Sequence, residues 1–335
     1  MIPWREIQKN NFRYWSDLVE FLQLDNEKSC QILQKSSFPL NLPRRLAEKI
    51  DKNNLNDPLL RQFVPLKDEL IPSEGFCSDP VGDASAQKTT KLLHKYTGRA
   101  LLLCTSSCAM HCRFCFRQKF PYDTEQKLFN EELDAIAQDC TLEEIILSGG
   151  DPLSLSDRVL EELLQGLSGI NHVQRIRFHT RFPIGIPERI DDSLLRILAG
   201  VKTQIIFIIH VNHPRELDED VTASLKKIQQ LGIPVLNQAV LLKGVNDNLV
   251  TLKTLFEGLI NHGIIPYYLH QLDRVQGTAH FEVEEEIGLS LMEELRRCLP
   301  GFAIPEYVRE IAGEPSKTPV KIDKLIQIRS FSEYG

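Results

Sequence analysis

The feature that most constrains the fold of this chain is an alternation of short apolar runs and amphipathic helical patterns from residue 99 onward. Each run is rich in β-branched residues and is followed by a polar loop. Strands that alternate with helices form parallel sheets with right-handed crossovers. Six runs therefore predict an α/β fold, a partial (β/α)6 barrel. The runs are RALLLC (99–104), EEIILSG (143–149), VQRIRFHT (173–180), TQIIFIIH (203–210), IPVLNQAVLL (233–242) and IIPYYLHQL (264–272).

The first 95 residues lack this alternation. The stretch YWSDLVEFLQL has the spacing of a helix, and VPLKDELIPSEGFCSDPVGD is rich in proline, glycine and aspartate. The sequence therefore predicts an N-terminal, mostly helical extension over 1–95, followed by the barrel over 96–335.

Charge and hydropathy exclude several kinds of partner. The formal net charge is -7 and lysine and arginine form no clustered run, which argues against a nucleic-acid surface. A continuous apolar stretch of about 18 residues is also absent, so we expect no membrane partner and a cytoplasmic protein. In that reducing compartment, clustered cysteines more often bind metals or act in catalysis than form disulfides.

Cys108, Cys112 and Cys115 form the pattern C-x3-C-x2-C after the first predicted strand. Three cysteine ligands can hold a [4Fe-4S] cluster and leave one iron open to a further ligand. Structural zinc usually requires a second pair of cysteines or histidines, and zinc remains the alternative. Cys104 closes the strand; it could supply a fourth ligand, but we expect it to be a buried thiol. The other cysteines are expected to be core residues; they are Cys30, Cys77, Cys140 and Cys298.

Polar residues follow the other predicted strands at the points where they end. They form the motifs SGGD, HTR, HVNHP and HQLD, and NQ lies inside the fifth run. In α/β barrels the carboxyl ends of the strands build the active site. The sequence therefore predicts that these motifs and the cysteines meet at one end of the barrel.

Taken together, these motifs are similar to those of the radical S-adenosylmethionine (SAM) enzymes and, more specifically, of the lysine 2,3-aminomutase family. The resemblance extends over residues 79–319. It implies a radical SAM barrel and three cofactors: a [4Fe-4S] cluster, SAM and pyridoxal 5'-phosphate (PLP). The segments that carry it are HKYTGRALLL, CRFCFR, SGGDPL, HVNHP, NQAVLLKGVND, YYLHQLD and KTPV.

The resemblance assigns roles around SAM. It implies that Cys108, Cys112 and Cys115 bind the cluster and that the SGGD motif lies along the methionyl group of SAM. Considered alone, that motif would more often be a strand-to-helix turn with an aspartate cap, and the surrounding motifs reverse that preference. The implied SAM-binding residues are Gly149, Gly150, Asp151, His210, Asn237 and Gln238.

The resemblance also assigns a PLP site. Lys317, before TPV, corresponds to the lysine that holds PLP as a Schiff base and is the implied catalytic residue. Tyr96 and Arg99 would lie against the PLP ring and its polar groups. Lys95 stands where the family usually has arginine and can meet a phosphate as a point charge.

Three further residues would bind the substrate. Arg117 corresponds to the family arginine that binds the amino-acid carboxylate, although a surface arginine is the plainer alternative. Asp273 and Glu310 correspond to two carboxylates around the side-chain ammonium of lysine. Two acids at that point favour lysine over glutamate, since a buried like-charge contact is unfavourable.

The implied reaction converts L-α-lysine to β-lysine. A deoxyadenosyl radical from SAM removes a β-hydrogen, nitrogen migrates from Cα to Cβ on PLP, and the hydrogen returns. Glu310 in place of the usual aspartate, FCFR and FPY after the cluster, and the absence of extra C-terminal cysteines resemble the short branch that supplies (R)-β-lysine for modification of translation elongation factor P.

The resemblance further implies several partners. They are an electron donor such as a flavodoxin or ferredoxin, a second copy of the chain in a homo-oligomer, and an enzyme that transfers the product to elongation factor P. Alternatives are a radical SAM enzyme acting on another amino acid, a degradative lysine aminomutase, and a non-catalytic iron-sulfur protein.

Overall fold

One sheet organises the molecule. The computed structural model describes residues 2–122 and 128–321, and within them nine strands follow one another across the sheet in chain order. Strands β2 to β8 are parallel, whereas β1 and β9 are antiparallel additions at the two edges. The strands are β1 Leu92–Tyr96, β2 Arg99–Thr105, β3 Glu144–Gly149, β4 Arg175–Thr180, β5 Gln204–Ile209, β6 Val235–Val240, β7 Ile265–His270, β8 Glu306–Arg309 and β9 Thr318–Pro319.

Helices connect the parallel strands. The helices of the described residues are α1 Trp4–Lys9, α2 Trp15–Leu22, α3 Asn26–Ser29, α4 Arg44–Glu48, α5 Pro58–Phe63, α6 Asn130–Gln138, α7 Asp157–Ser168, α8 Phe182–Gly185, α9 Asp192–Ala199, α10 Glu219–Gln230, α11 Leu249–Asn261 and α12 Glu285–Cys298. Four of the connecting helices begin at a side-chain cap, because Ser156, Asp191, Asp218 and Asn248 each accept a hydrogen bond from a backbone amide three residues ahead.

The predicted fold class is confirmed, and the six predicted runs form β2 to β7. The sheet also begins earlier than the predicted boundary at residue 96. Leu92 and Leu93 are buried and pair with β2 through a tight hairpin, in which Gly98 adopts a φ of +76°. At the other edge, β8 and β9 extend the sheet beyond the six predicted strands.

The N-terminal segment packs directly on the barrel. The ring of Trp4 meets Phe182 edge to face, with ring centroids 5.3 Å apart, and Leu59 and Phe63 of α5 are completely buried. These residues belong to the same apolar cluster as the barrel strands. The core therefore continues from the extension into the barrel.

Within residues 2–122 and 128–321, no helix has both the length and the apolar character that crossing a membrane requires.

Candidate active site

The carboxyl ends of the parallel strands surround one cavity of about 280 Å³. Every residue that the sequence predicts for the site lines this cavity, with the exception of Asn237. The parallel register explains why these residues converge, because Thr105, Gly149 and Thr180 are the last residues of neighbouring parallel strands and lie at the same end of the barrel.

The three predicted cluster cysteines lie in the loop after β2. The loop turns tightly, since the Cys115 amide donates to the Cys112 carbonyl at 3.0 Å. Arg113 is buried between them and forms two hydrogen bonds, of 2.7 and 2.6 Å, with the Glu69 carboxylate. The N-terminal segment thus holds the cysteine loop through a buried ion pair.

The thiols of this loop are poor acids on their own. Burial raises the pKa of all three, that of Cys115 to about 11. Their thiolate forms therefore need a positively charged partner, such as the iron of a cluster. In the described parts of the chain, no three His, Cys, Asp or Glu side chains are placed to share one metal ion. A cluster does not require such convergence, because each thiolate binds a separate iron.

Two glycines let the end of β3 pack against the start of the cysteine loop. The Gly150 amide donates to the Thr105 carbonyl at 2.6 Å, and the Asp151 amide donates to the Ser107 carbonyl at 2.8 Å. A Cβ at Gly150 would lie 2.3 Å from the Ser107 oxygen, and Gly149 has a φ of +106°. The SGGD motif is therefore required to hold the cysteine loop as well as to line the cavity.

Asp151 is fully engaged by its own chain. Its carboxylate caps Leu153 and accepts from the Thr180 hydroxyl and from the amides of Arg181 and Phe182, at 2.8–3.0 Å. Burial raises the pKa of Asp151 to about 6, although these bonds favour the ionised form. This geometry matches the capping alternative, and contact between Asp151 and SAM stays a prediction.

Several side chains that line the cavity carry buried polar atoms without a hydrogen-bond partner among the described residues. They include Nε2 of His179, His210 and His270, and Oε1 of Gln238. Burial lowers the pKa of His210 to about 3, so its imidazole is neutral. Buried polar atoms are rarely left unpaired, which indicates that a ligand completes these bonds. His179 and His270 were not predicted as site residues, although they open the motifs HTR and HQLD, respectively.

Asn237 has a different position. Its side-chain amide accepts from the Val211 amide at 2.9 Å and donates to the Val211 carbonyl at 3.1 Å. Alternation along β6 directs the neighbouring Gln238 to the cavity instead. Asn237 thus joins β6 to the residues that follow β5, and its predicted contact with a cofactor stays a prediction.

Lys317 and Glu310 lie opposite each other across the β8–β9 pair. Arg309 pairs with Thr318 in an antiparallel ladder. Glu310, which follows Arg309, therefore faces Lys317, which precedes Thr318. The Lys317 Nζ lies 2.8 Å from Glu310 Oε2, and the Tyr96 hydroxyl donates to Glu310 Oε1. Burial acts to raise the pKa of Glu310, but the Lys317 ammonium outweighs it and the pKa falls below its usual value.

Lys95 and Arg117 share one carboxylate, that of Asp83. Asp83 Oδ1 lies 2.6 Å from Lys95 Nζ, and Oδ2 accepts from Arg117 Nε at 2.7 Å. Burial would raise the pKa of Asp83, but the two cations hold it below its usual value. Asp83 was not predicted, since an isolated acid in DPVGD carries no motif. Arg117 is buried, which excludes the surface alternative.

Arg99 and Asp273 complete this part of the cavity. The Arg99 guanidinium lies 4.8 Å from the centroid of the Tyr96 ring. Burial raises the pKa of Asp273 to about 6, and the nearby charge of Lys317 opposes that rise. Asp273 is thus a half-buried carboxylate that a further cation would stabilise in its ionised form.

The remaining cysteines test the other sequence predictions. Cys104 is buried and its Sγ lies 3.6 Å from the Leu102 carbonyl oxygen, so the prediction of a buried thiol is confirmed. The prediction that the scattered cysteines are core residues is wrong, because they lie in loops and at helix ends. All four are exposed: Cys30, Cys77, Cys140 and Cys298.

Comparison with known proteins agrees with this site. The model of the radical SAM superfamily matches residues 102–255, which include the end of β2, the cysteine loop and strands β3 to β6. The fold and the cysteine loop thus define a radical SAM protein.

Similarity to individual proteins is more specific. The chain is 41% identical to an L-lysine 2,3-aminomutase of Escherichia coli over 91% of each chain, and 40% identical to that of Haemophilus influenzae over 94% of each. It is 31% identical to an L-lysine 2,3-aminomutase of Clostridium subterminale, over 96% of this chain and 79% of that protein. The chain belongs to the lysine 2,3-aminomutase family.

Proposed function

We propose that this protein isomerises L-lysine to β-lysine with a [4Fe-4S] cluster, SAM and PLP. The observation that carries the proposal is that one cavity joins three cysteines of the radical SAM pattern to a lysine with two half-buried carboxylates nearby. Family membership supports the same reaction type and the three cofactors.

The residues present fit these groups. Cys108, Cys112 and Cys115 would hold the cluster, and the unpaired atoms of His210 and Gln238 offer hydrogen bonds to SAM. Lys317 would hold PLP. When bound, the cluster and SAM supply a carbon radical and PLP carries the migrating nitrogen.

Arg117 is suited to hold the substrate carboxylate. Asp83 occupies its Nε, which fixes the guanidinium and leaves the Nη groups at its tip for a ligand. Ser148 contacts one of these, Nη1, at 3.3 Å, a long bond that a carboxylate can replace. Asp83 therefore orients Arg117, although it also offsets part of its charge.

Asp273 and Glu310 are suited to hold the side-chain ammonium. Asp273 is half-buried, and its raised pKa indicates that a nearby cation would stabilise its ionised form. Glu310 is paired with the free ammonium of Lys317. While Lys317 holds PLP its amine would not be a free ammonium, which would leave Glu310 available to the ammonium of an arriving substrate.

An anaerobic assay tests the proposal. The chain is reconstituted with iron, sulfide and PLP and mixed with SAM, a strong reductant and L-lysine; products are separated by chiral chromatography with mass detection. We expect β-lysine, which should be absent when PLP or SAM is omitted. Formation of 5'-deoxyadenosine without β-lysine would reject lysine as the substrate and retain the radical SAM assignment. Ornithine and glutamate are supplied in parallel reactions as alternative substrates.

We further propose that the product is (R)-β-lysine and that it serves the modification of elongation factor P. Glu310 is one methylene longer than the usual aspartate of the family, which supports a changed position of the lysine ammonium. The same chromatogram reports the hand of the product. The S form would contradict this assignment and favour a degradative role.

A further inference from the structure

A buried arginine outside the predicted site touches one of the three cysteines. Arg181 follows β4 directly, and its Nη1 lies 2.9 Å from the Cys112 Sγ. Its side chain is only 6% exposed. At this distance a guanidinium N–H donates a hydrogen bond to sulfur, and more strongly to a thiolate than to a thiol.

Arg181 has little freedom to leave this position. Its Nη2 donates to Gln62 Oε1 and to Glu216 Oε2, both at 2.7 Å. The guanidinium carbon also lies 4.6 Å from the centroid of the Phe63 ring and 5.3 Å from that of Phe114. Gln62 and Phe63 belong to α5, so the N-terminal segment helps to aim a barrel arginine at the cysteine loop.

Glu216 is itself fixed by neighbouring groups. Its Oε1 accepts from Gln62 Nε2 and from the amides of Asn212 and His213, at 2.9–3.1 Å. The ion pair with Glu216 offsets part of the charge of Arg181. The hydrogen-bond donor at Nη1 nevertheless remains directed at the sulfur.

We infer that Arg181 is a positioning residue that holds a cationic hydrogen-bond donor against the Cys112 sulfur and thereby raises the reduction potential of the cluster. The inference rests on the proposed function in one respect, that Cys112 binds iron. Reduction moves one electron from an external donor to the cluster and adds one negative charge to the iron-sulfur core and its thiolates. A donor at the sulfur stabilises that added charge and so favours the reduced state.

The experiment is a redox titration followed by electron paramagnetic resonance. Wild type, Arg181→Gln and Arg181→Lys are reconstituted with iron and sulfide and reduced stepwise without SAM, PLP or lysine. We expect the wild type to have the highest midpoint potential and Arg181→Gln the lowest. Arg181→Lys retains the charge without the planar fork and should lie between them.

Arg189 provides the matched control. Its side chain is also fully buried, and it contacts the Leu153 carbonyl at 2.8 Å and Asp157 at 3.0 Å rather than a cysteine. Arg189→Gln should therefore keep the wild-type potential. A general loosening of the barrel would instead shift the midpoint potentials of Arg181→Gln and Arg189→Gln alike, which would contradict the inference.

Gln62→Met keeps the test decisive if Arg181→Gln cannot hold a cluster. It removes one of the two acceptors of Nη2, and we expect a smaller downward shift. A wild-type potential in Arg181→Gln, or in Gln62→Met where only that variant holds a cluster, overturns the inference. A wild-type chain that binds no cluster would refute the proposed function, whereas a bound cluster with an unchanged potential would refute only the inference. The two failures are therefore distinguishable.

Discussion

The two ends of the cavity are built in different ways. At the cysteine end, backbone amides and a buried arginine already have their partners within the protein; its residues are Cys108, Cys112, Cys115, Gly149, Gly150, Asp151 and Arg181. At the lysine end, ion pairs between side chains that line the cavity predominate, such as Lys95 with Asp83 and Lys317 with Glu310; its residues are Asp83, Lys95, Tyr96, Arg117, Asp273, Glu310 and Lys317.

This difference indicates how each end is used. A site fixed by neutral and charge-assisted bonds to its own backbone is preorganised for a resident group and changes little when that group binds. Ion pairs such as Lys317 with Glu310 can be exchanged, because PLP or a substrate offers charges of the same kind. We therefore expect substitutions at the cysteine end to abolish the reaction, and those at the lysine end to separate cofactor binding from substrate binding.

The largest effect is expected for Cys112→Ala. Loss of one thiolate removes a ligand of the cluster, so iron content and lysine conversion should both be lost. PLP binding at the lysine end should persist in its visible absorbance, because no PLP residue is altered. Cys140→Ala removes an exposed cysteine and should behave as wild type. Full iron content in Cys112→Ala would contradict the assignment of the loop.

Lys317→Ala should abolish lysine conversion while iron content stays unchanged. The variant lacks the amine that forms the covalent link to PLP. Reduction with borohydride followed by peptide mass analysis checks this, since the wild type should retain PLP on the peptide that contains residue 317. Lys321→Ala, an exposed lysine four residues on, is the control. PLP found on another lysine of the wild type would remove Lys317 from this role.

Asp273→Asn should affect substrate use and leave both cofactors bound. Stranding the buried ammonium of the substrate costs about 2–5 kcal/mol, which should appear as a lower kcat/KM for lysine. Asp134→Asn, an exposed acid on α6, should change nothing measurable. Wild-type kinetics in Asp273→Asn would show that this carboxylate does not meet the substrate.

The smallest effect is a dependence on pH. The pKa of Asp273 is raised to about 6, so the carboxylate becomes protonated as the pH falls through that value and loses its attraction for the ammonium. The kcat/KM for lysine, which reports the free enzyme, should decline below about pH 6. Asp273→Asn should lack this acidic limb. An identical limb in the variant would assign it to another group.

Sequence motifs predicted the cysteine end well because its residues are contiguous at strand ends, as in SGGD and the cysteine loop. Prediction of the lysine end depended on resemblance, because the sequence around a lone lysine such as Lys317 does not mark it as functional. Only the pairing of β8 with β9 brings Lys317 to Glu310. Asp83 and Gln62 could not be predicted. Each acts on a residue far along the chain, 34 positions away for Arg117 and 119 for Arg181, and neither belongs to a motif.

The central claim is that the two ends act on a single lysine molecule. The most direct test is to supply L-lysine carrying deuterium at Cβ to the reconstituted chain and to analyse recovered SAM and β-lysine by mass spectrometry. If a radical formed at the cysteine end removes hydrogen from lysine held at the lysine end, deuterium will appear in the 5' position of SAM and return to β-lysine. Formation of β-lysine with SAM free of deuterium would contradict the account.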